Sequence, residues 1–300
     1  MTARGAAVSV LAAAVLWGTI GTAQELGAPD AAPPTVAALR SLAGGLLLVL
    51  VVVIGRRWQL LVAVLRRTPG PFAVAALAIT TFQLGYFAGI RLGGVALGTL
   101  VAIGSSPAFA GSFAWALGRP PGARWVVGSL ATVAGAAALL LGGGATGTTP
   151  IGLAASLLAG ASFATYALAS KRLLERGMAG VPVMAAVFTT SGVVLLPAVV
   201  LADATWIASP PGAAAVAWMA VAGTAAAYTL FARGLDGVDA PTATTLSLAE
   251  PLTAALLAVT VLGERLVGWS AVGAALLIVG LVVVAVRPGT RGRPVRSPPG

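Results

Sequence analysis

The sequence around Glu250 places a carboxylate beside a proline inside an apolar segment that runs on to residue 262. An ionisable group in the middle of a membrane costs about 3 kcal/mol or more, so such groups normally face the protein interior or water. Proline has no N–H, so the carbonyl of Ser247, four residues before Pro251, is expected to lose its helical donor. An acid and a freed carbonyl together predict a polar site halfway through the segment, which is what solute binding inside a membrane requires.

Two roles are open for Glu250. It could bind a cationic group of a solute or take up and release a proton, or it could pair with a hydroxyl or backbone donor and lock a broken helix. Earlier in the chain Ser106 precedes Pro107 as Glu250 precedes Pro251. Because serine is not an acid, a coupled proton would be carried by one half of the chain only. We interpret Pro107 and Pro251 as helix breaks or hinges, because residues before a proline avoid α geometry.

Further polar and aromatic residues could line the same route. Trp17 lies in the middle of an apolar run, where its indole N–H needs a partner, so it is expected to face either a cavity or another helix. Thr19, Gln24 and Gln83 could line the route or be satisfied inside the bundle.

Tyrosines and an arginine lie nearer the ends of the apolar runs. Tyr86 is a candidate for the route, but Tyr86, Tyr166 and Tyr228 all lie where interfacial tyrosines are common, and we favour that role for them. Arg40 could reach the interface or pair with Glu25, and these alternatives are favoured over an outer gate or a contact with a solute carboxylate.

The composition identifies the solvent of these elements as lipid. Of 300 residues, 58% are hydrophobic and 9% are charged, whereas a soluble domain carries about 25% charged residues. Apolar runs of about 20 residues fit a helix across the bilayer, and they lack the alternation of barrel strands. An all-α polytopic membrane protein is predicted, with ten spans at 6–26, 33–54, 71–90, 93–116, 124–142, 150–170, 181–201, 211–232, 238–261 and 266–286.

Several kinds of chemistry are excluded by residues that the chain lacks. It has no cysteine and no histidine, which excludes disulfides, thiolate or imidazole metal sites and the usual nucleophilic catalytic arrangements. It has no GxxxxGK[ST] run, which argues against ATP hydrolysis. We therefore expect no catalytic residues, no metal and no cofactor. The first apolar run lacks a convincing cleavage site and is interpreted as a span.

The distribution of basic residues predicts the orientation. Of 18 lysines and arginines, fifteen fall at the N-terminus, in the even-numbered loops or in the tail, and two fall on the opposite side. This bias predicts a plasma-membrane protein with both termini in the cytoplasm, and no nucleic-acid partner. Residues 288–300 alternate Arg, Pro and Gly and are predicted to form a disordered basic tail.

The chain contains an internal repeat. Pro107 is followed 18 residues later by Trp125, and Pro251 is followed 18 residues later by Trp269. Further matches pair Leu117-Gly118 with Leu262-Gly263, Gly94-Val95 with Gly237-Val238, and Tyr86 with Tyr228.

The repeat divides the chain into residues 1–143 and 144–287, with five spans in each half. Because five is odd, the second half must enter the membrane in the opposite sense. Inverted repeats of this kind are typical of transporters whose solute site lies at the midplane between the halves.

Short motifs in both halves carry a resemblance to a known family. They are Leu16-Trp17-Gly18, Leu39-Arg40, Ser106-Pro107, Glu250-Pro251 and Leu262-Gly263-Glu264-Arg265. Over about residues 6–286 the chain resembles EamA-type members of the drug/metabolite transporter superfamily. The resemblance implies two EamA-like five-helix repeats and the export of small metabolites. The chain departs from the family at Gly118-Arg119-Pro120, where members commonly carry Gly-Glu-Arg.

These observations predict a secondary transporter, with no enzymatic activity, that exports small metabolites or amino-acid-like solutes by alternating access. Its partners would be the solute, the lipid bilayer and, in one coupling scheme, protons. Three modes of transport remain open: coupling to an ion gradient, exchange of solutes and facilitated diffusion. A channel, an intramembrane lipid-processing enzyme and a membrane scaffold are the alternatives.

Overall fold

The computed structural model describes residues 1–93, 95–141, 149–202, 204–263 and 269–286. Every regular element in these ranges is a helix. The α-helices are α1 (Ala3–Gly27), α2 (Pro33–Ile54), α3 (Trp58–Arg67), α4 (Pro69–Gly93), α5 (Val95–Gly104), α6 (Ser106–Ala116), α7 (Ala123–Leu141), α8 (Pro150–Glu175), α9 (Gly180–Leu201), α10 (Pro210–Ala220), α11 (Ala227–Gly237), α12 (Ala240–Leu246), α13 (Ala249–Thr260) and α14 (Ser270–Val286). The predicted tail at 288–300, the 142–148 loop and the Glu264-Arg265 motif lie outside the described residues.

The all-α fold class is confirmed. Within the described ranges, nine helical stretches are long and apolar enough to cross a membrane, and α14, with 17 residues, is slightly shorter. Three of the nine are interrupted: α5 continues into α6, α10 into α11 through a π-helical turn at Val221–Ala226, and α12 into α13. These ten segments correspond to the ten predicted spans.

Helix α3 is not one of the predicted spans. Its ten residues are too few to cross a bilayer, so the sequence suggested only a basic loop. In the structure Val64 is fully buried, while Trp58 and Leu60 are exposed and Arg66 and Arg67 occupy the last turn. A short amphipathic helix with flanking arginines is suited to lie in the membrane interface.

Packing between the helices follows a two-fold pattern. Helix α2 packs on α9 and α7 packs on α14, which joins the second span to the seventh and the fifth to the tenth. Helix α4 packs on α8 and α1 packs on α11, which joins the third span to the sixth and the first to the eighth. A two-fold axis that exchanges spans one to five with spans six to ten would map the second–seventh and fifth–tenth pairs onto themselves. It would map the third–sixth pair onto the first–eighth pair.

The helix breaks lie at matching places in the two halves. Ser105 separates α5 from α6 just before Pro107, and residues 247–248 separate α12 from α13 just before Pro251. The helices that follow these breaks are succeeded by Gly118 and Gly263, whose φ angles are +73° and +72°. Glycine adopts this left-handed conformation without strain, so both halves stop the helix by the same means.

The carbonyls that the two prolines leave without a helical donor are satisfied in different ways. The backbone N–H of Glu250 donates to the Ser247 carbonyl at 3.0 Å, so the expectation of a free carbonyl at Ser247 was wrong. A tighter turn between residues 247 and 250 supplies the donor that Pro251 lacks. In the first half the Ser106 hydroxyl donates to the Ile103 carbonyl at 2.7 Å, which compensates for the missing N–H of Pro107.

An aromatic cluster fills the centre of the bundle. Its rings have centroid separations of 3.9–6.4 Å and belong to Trp17, Phe163, Tyr166, Phe188, Tyr228 and Phe231. Tyr166 and Tyr228 are therefore buried, and their predicted interfacial role was wrong. Helix position alone suggested that role, whereas the packing of α8 on α11 brings both rings inward.

Candidate functional site

Gln83 organises a buried polar network that joins the two halves. Its Oε1 accepts from Arg40 Nη2 at 3.4 Å and from the Ser41 hydroxyl at 3.0 Å. Its Nε2 donates to the Ser191 hydroxyl at 3.0 Å. All four side chains are buried. The network therefore fixes the Arg40 guanidinium by contacts that reach α4 in the first half and α9 in the second.

Two adjacent glycines allow this network to form. A Cβ on Gly45 would overlap the backbone of Thr189 in α9, and one on Gly44 would lie 2.5 Å from the Thr224 side chain in the π-helical turn. Close approach of helices at small residues is a common way to bring polar groups together in membranes. Here it brings α2 close to α9. Arg40 and Ser41 lie one turn before the two glycines, and Gln83 links them to Ser191 in α9.

Glu250 lies opposite this network. It retains solvent-accessible surface, although its neighbours Ala249 and Pro251 are buried. Its carboxylate interacts electrostatically with Arg40, but no nitrogen of the guanidinium lies within 4.0 Å of a carboxylate oxygen. A direct ion pair does join Arg119 and Glu175, at 3.3 Å on the surface. An arginine and an acidic side chain therefore interact inside the bundle without a direct ion pair.

Gly18 positions Glu250. A Cβ on Gly18 would lie 2.7 Å from the Glu250 carbonyl oxygen and 2.6 Å from Cβ of Thr253. Only glycine lets α1 pack this closely on the first turns of α13. The neighbouring Trp17 ring then packs on Tyr228 in a tilted arrangement, with ring centroids 4.8 Å apart.

Two tyrosines flank the opposed charges, one from each half. Tyr86 is partly accessible, and its hydroxyl hydrogen-bonds with the Thr99 hydroxyl at 3.2 Å. Tyr228 is buried against Phe188, and its hydroxyl interacts with Arg40. Both tyrosines also interact electrostatically with Glu250. The residues paired by the sequence repeat therefore meet at one site.

The space beyond Trp17 is open on one side. Gly21 and Gln24 follow Trp17 by four and seven residues and share its helix face. Gln24 is partly accessible, and a Cβ on Gly21 would have no heavy atom within 4 Å. The face of α1 beyond the aromatic cluster is therefore uncrowded.

The remaining candidates lie apart from the opposed charges. The Thr19 hydroxyl donates to the Leu16 carbonyl at 2.7 Å and accepts from the Trp218 indole at 2.9 Å, so it ties α1 to α10. Ser106 is fully buried at the α5–α6 break and bonded as described above. Glu25 is exposed and makes no ion pair with Arg40, which bonds to Gln83 instead.

Three contributors to the site were not identified from the sequence, and two of them had no clear signal there. Ser41 and Ser191 resemble many other small polar residues in the spans, and Ser191 is 108 residues away from Gln83. Tyr228 did carry a signal, because the repeat pairs it with Tyr86. The location of Tyr228 towards the end of its span suggested an interfacial role instead, whereas the pairing with Tyr86 indicated the site.

Comparison with known proteins agrees with this architecture. The sequence profile of the EamA-like transporter family matches residues 4–141 and again residues 150–286. The uncharacterized transporter YwfM of Bacillus subtilis (strain 168) is 38% identical over 281 residues, which cover 93% of each chain. One solved crystal structure superposes with a TM-score of 0.81 at 22% identity, covering 94% of this chain and 96% of the other, and it supports the fold alone. The chain is a multi-pass membrane protein that belongs to the EamA-like transporter family of the drug/metabolite transporter superfamily.

Proposed function

We propose that this protein is a secondary transporter that exports small, amino-acid-like metabolites carrying both a positive and a negative charge. The observation that carries the proposal is the opposition of Arg40 and Glu250, which interact without forming a direct ion pair. Arg40 would bind the carboxylate of the solute, and Glu250 would bind its ammonium group. The family supports transport in general, and the charge requirement is specific to this site.

The geometry favours a zwitterion over a singly charged solute. Arg40 is held by Gln83, so the two charges cannot simply collapse onto each other. A zwitterion would give each buried charge a partner, whereas a solute with one charge would leave the other unpaired. Sites built around buried polar groups reject analogues that lack the matching group by large factors, on the order of 10⁴ in favourable cases.

Alternating access would move the solute across the membrane. The two five-span halves, at 1–143 and 144–287, would rock about the Arg40–Glu250 site, with the breaks before Pro107 and Pro251 as hinges. The aromatic cluster would be the closed gate at one end. With the basic end of the bundle in the cytoplasm of a plasma-membrane protein, this conformation would be open to the outside, as it is when an exporter releases its solute.

Glu250 could serve in coupling as well as in binding. Among the described residues it is the acid at the centre of the bundle, and its side chain is partly accessible. If a proton enters from outside, Glu250 would carry it, and release of the solute's ammonium group would free the carboxylate to accept it. Exchange of solutes and uncoupled facilitated diffusion are the two other possible modes of transport.

Counterflow in proteoliposomes tests the proposal. Vesicles loaded with a mixture of unlabelled neutral amino acids should accumulate each labelled member that is a substrate, with saturation as the external concentration rises. Linear, non-saturating flux would indicate a channel, and conversion of a solute or lipid would indicate an enzyme. Metabolites retained and released by cells with and without the protein would then identify the natural solute.

A further inference from the structure

A cavity separate from the Arg40–Glu250 site opens at the end of the bundle where α1 begins. It encloses about 650 Å³ between the end of α2, the start of α3, the end of α8, the start of α9 and one side of α11. The transport proposal makes no use of it. The helices around it come from both halves of the chain.

The polar side of this cavity is basic. Arg57 at the start of α3 and Arg233 in α11 line it. Asp236 is the single acidic residue among the described residues that line it. The balance of charge therefore favours an anion.

The first turn of α9 adds backbone donors. Ala179, Gly180 and Val181 line the cavity, and the Ala179 cap offers no side-chain hydrogen bond to the turn. The first N–H groups of a helix have no partners within the helix, and they carry the positive end of its dipole. Such a terminus binds phosphate groups readily, and here it lies beside the two arginines.

The other side of the cavity is apolar. Val52, Leu60 and Met178 line it, and the surface around it exposes Ile54 and Trp58, which are 72% and 55% accessible. Exposed apolar groups beside arginines at the end of a span are what the boundary between acyl chains and headgroups requires. A ligand that matches both sides must be an amphiphile with an anionic head.

We propose that this cavity binds an anionic phospholipid. Its phosphodiester would lie between Arg57, Arg233 and the N-terminus of α9, and its acyl chains would run along the exposed apolar side chains of α2 and α3. A lipid held there would contact α2 and α3 of the first half and α9 and α11 of the second. It would therefore stabilise the closed arrangement at this end of the bundle.

Native mass spectrometry of the full chain in detergent tests the site. The probes are phosphatidylglycerol and phosphatidylcholine with identical acyl chains. The wild-type chain should retain one phosphatidylglycerol in preference to phosphatidylcholine. The variant Arg57→Gln/Arg233→Gln should lose affinity by about tenfold or more, since each basic group near an anionic lipid contributes substantially.

A matched control removes the same charge from the same region. Arg66→Gln/Arg67→Gln alters the last turn of α3, outside the cavity, and should bind phosphatidylglycerol as the wild-type chain does. Equal binding of the two lipids, or an equal loss in both double variants, would overturn the proposal. Displacement of the lipid by excess glycerol phosphate would also overturn it, since the site would then be a pocket for soluble anions.

A second readout needs no variant. A ligand that binds only the folded chain raises its unfolding temperature as ligand concentration increases. Phosphatidylglycerol should therefore raise the unfolding temperature of the wild-type chain more than phosphatidylcholine does. Identical shifts with both lipids would contradict a specific headgroup site.

Discussion

Gly18 in α1 packs directly on the backbone of Glu250 in α13, so closely that a Cβ on Gly18 would lie 2.7 Å from the Glu250 carbonyl oxygen. This contact couples the first span of one half to the broken span of the other. It also fixes the height at which the Glu250 carboxylate enters the bundle. The orientation of the acid therefore depends on a glycine more than 200 residues earlier in the chain.

The first prediction concerns this contact. Gly18→Ala should lower the stability of the protein by about 1–3 kcal/mol and reduce transport, because the added methyl group must displace backbone as well as the Thr253 side chain. Gly21→Ala is the matched control, since its Cβ would meet nothing within 4 Å. Thermal unfolding in detergent and counterflow measure the two effects. Equal behaviour of the two variants would refute the role assigned to the close contact.

The second prediction concerns Gln83. Gln83→Leu should abolish transport and destabilise the fold by about 2–4 kcal/mol, because it leaves Arg40, Ser41 and Ser191 without a shared partner in a buried place. Gln24→Leu removes the same group from a partly accessible position and should change stability by less than about 0.5 kcal/mol. If Gln83→Leu proves as mild as Gln24→Leu, the network does not hold Arg40 in place.

The third prediction separates coupling from binding at Glu250. If Glu250 carries a proton without binding the solute, Glu250→Gln should abolish transport driven by a pH gradient and leave solute exchange at equal pH largely intact. The proposed contact with the solute's ammonium group predicts instead that both modes weaken. Glu25→Gln, at an exposed acid near the end of α1, should leave both modes unchanged. Loss of both modes in Glu250→Gln would show that the carboxylate binds the solute or holds the helix break instead. Unchanged transport would remove Glu250 from the mechanism.

The fourth prediction concerns the break before Pro107. Ser106→Ala should cost about 1 kcal/mol, because the hydroxyl satisfies the Ile103 carbonyl that Pro107 leaves without an N–H donor. In a Pro107→Ala background the new N–H can supply that donor, so the same Ser106→Ala change should cost less. Unfolding of the four proteins in the double-mutant cycle measures the difference. Strictly additive effects would disprove the compensation.

The sequence was informative where the membrane restricts the choice of residues. Charged and amide groups are so costly in lipid that Glu250, Arg40 and Gln83 were singled out as candidates. The role favoured for Arg40, at the interface or paired with Glu25, was wrong, because Arg40 is buried and bonds to Gln83. Proline located the helix breaks because it lacks an N–H donor, and glycine located the helix ends because it adopts positive φ angles without strain. The ten segments followed from the lengths of the apolar runs.

The contacts between spans were not predictable in this way. Nothing in the sequence joins Gln83 to Ser191, since that contact depends on how closely α2 approaches α9 at its glycines. The burial of Tyr166 likewise depends on which face of α8 turns inward. The Ser247 carbonyl was expected to be free because a regular helix was assumed around Pro251, whereas a tighter turn supplies a new donor.

The charge requirement of the Arg40–Glu250 site is the central claim, and competition in counterflow tests it most directly. For a neutral amino acid that the protein carries, uptake should be inhibited by other zwitterions of similar size. The matching amine without its carboxylate, and the matching acid without its ammonium group, should inhibit weakly. Replacement of Arg40 by Gln should weaken zwitterion uptake and narrow the difference between the zwitterion and the amine. If the wild-type protein is inhibited equally by all three compounds, Arg40 and Glu250 do not bind the two ends of the solute.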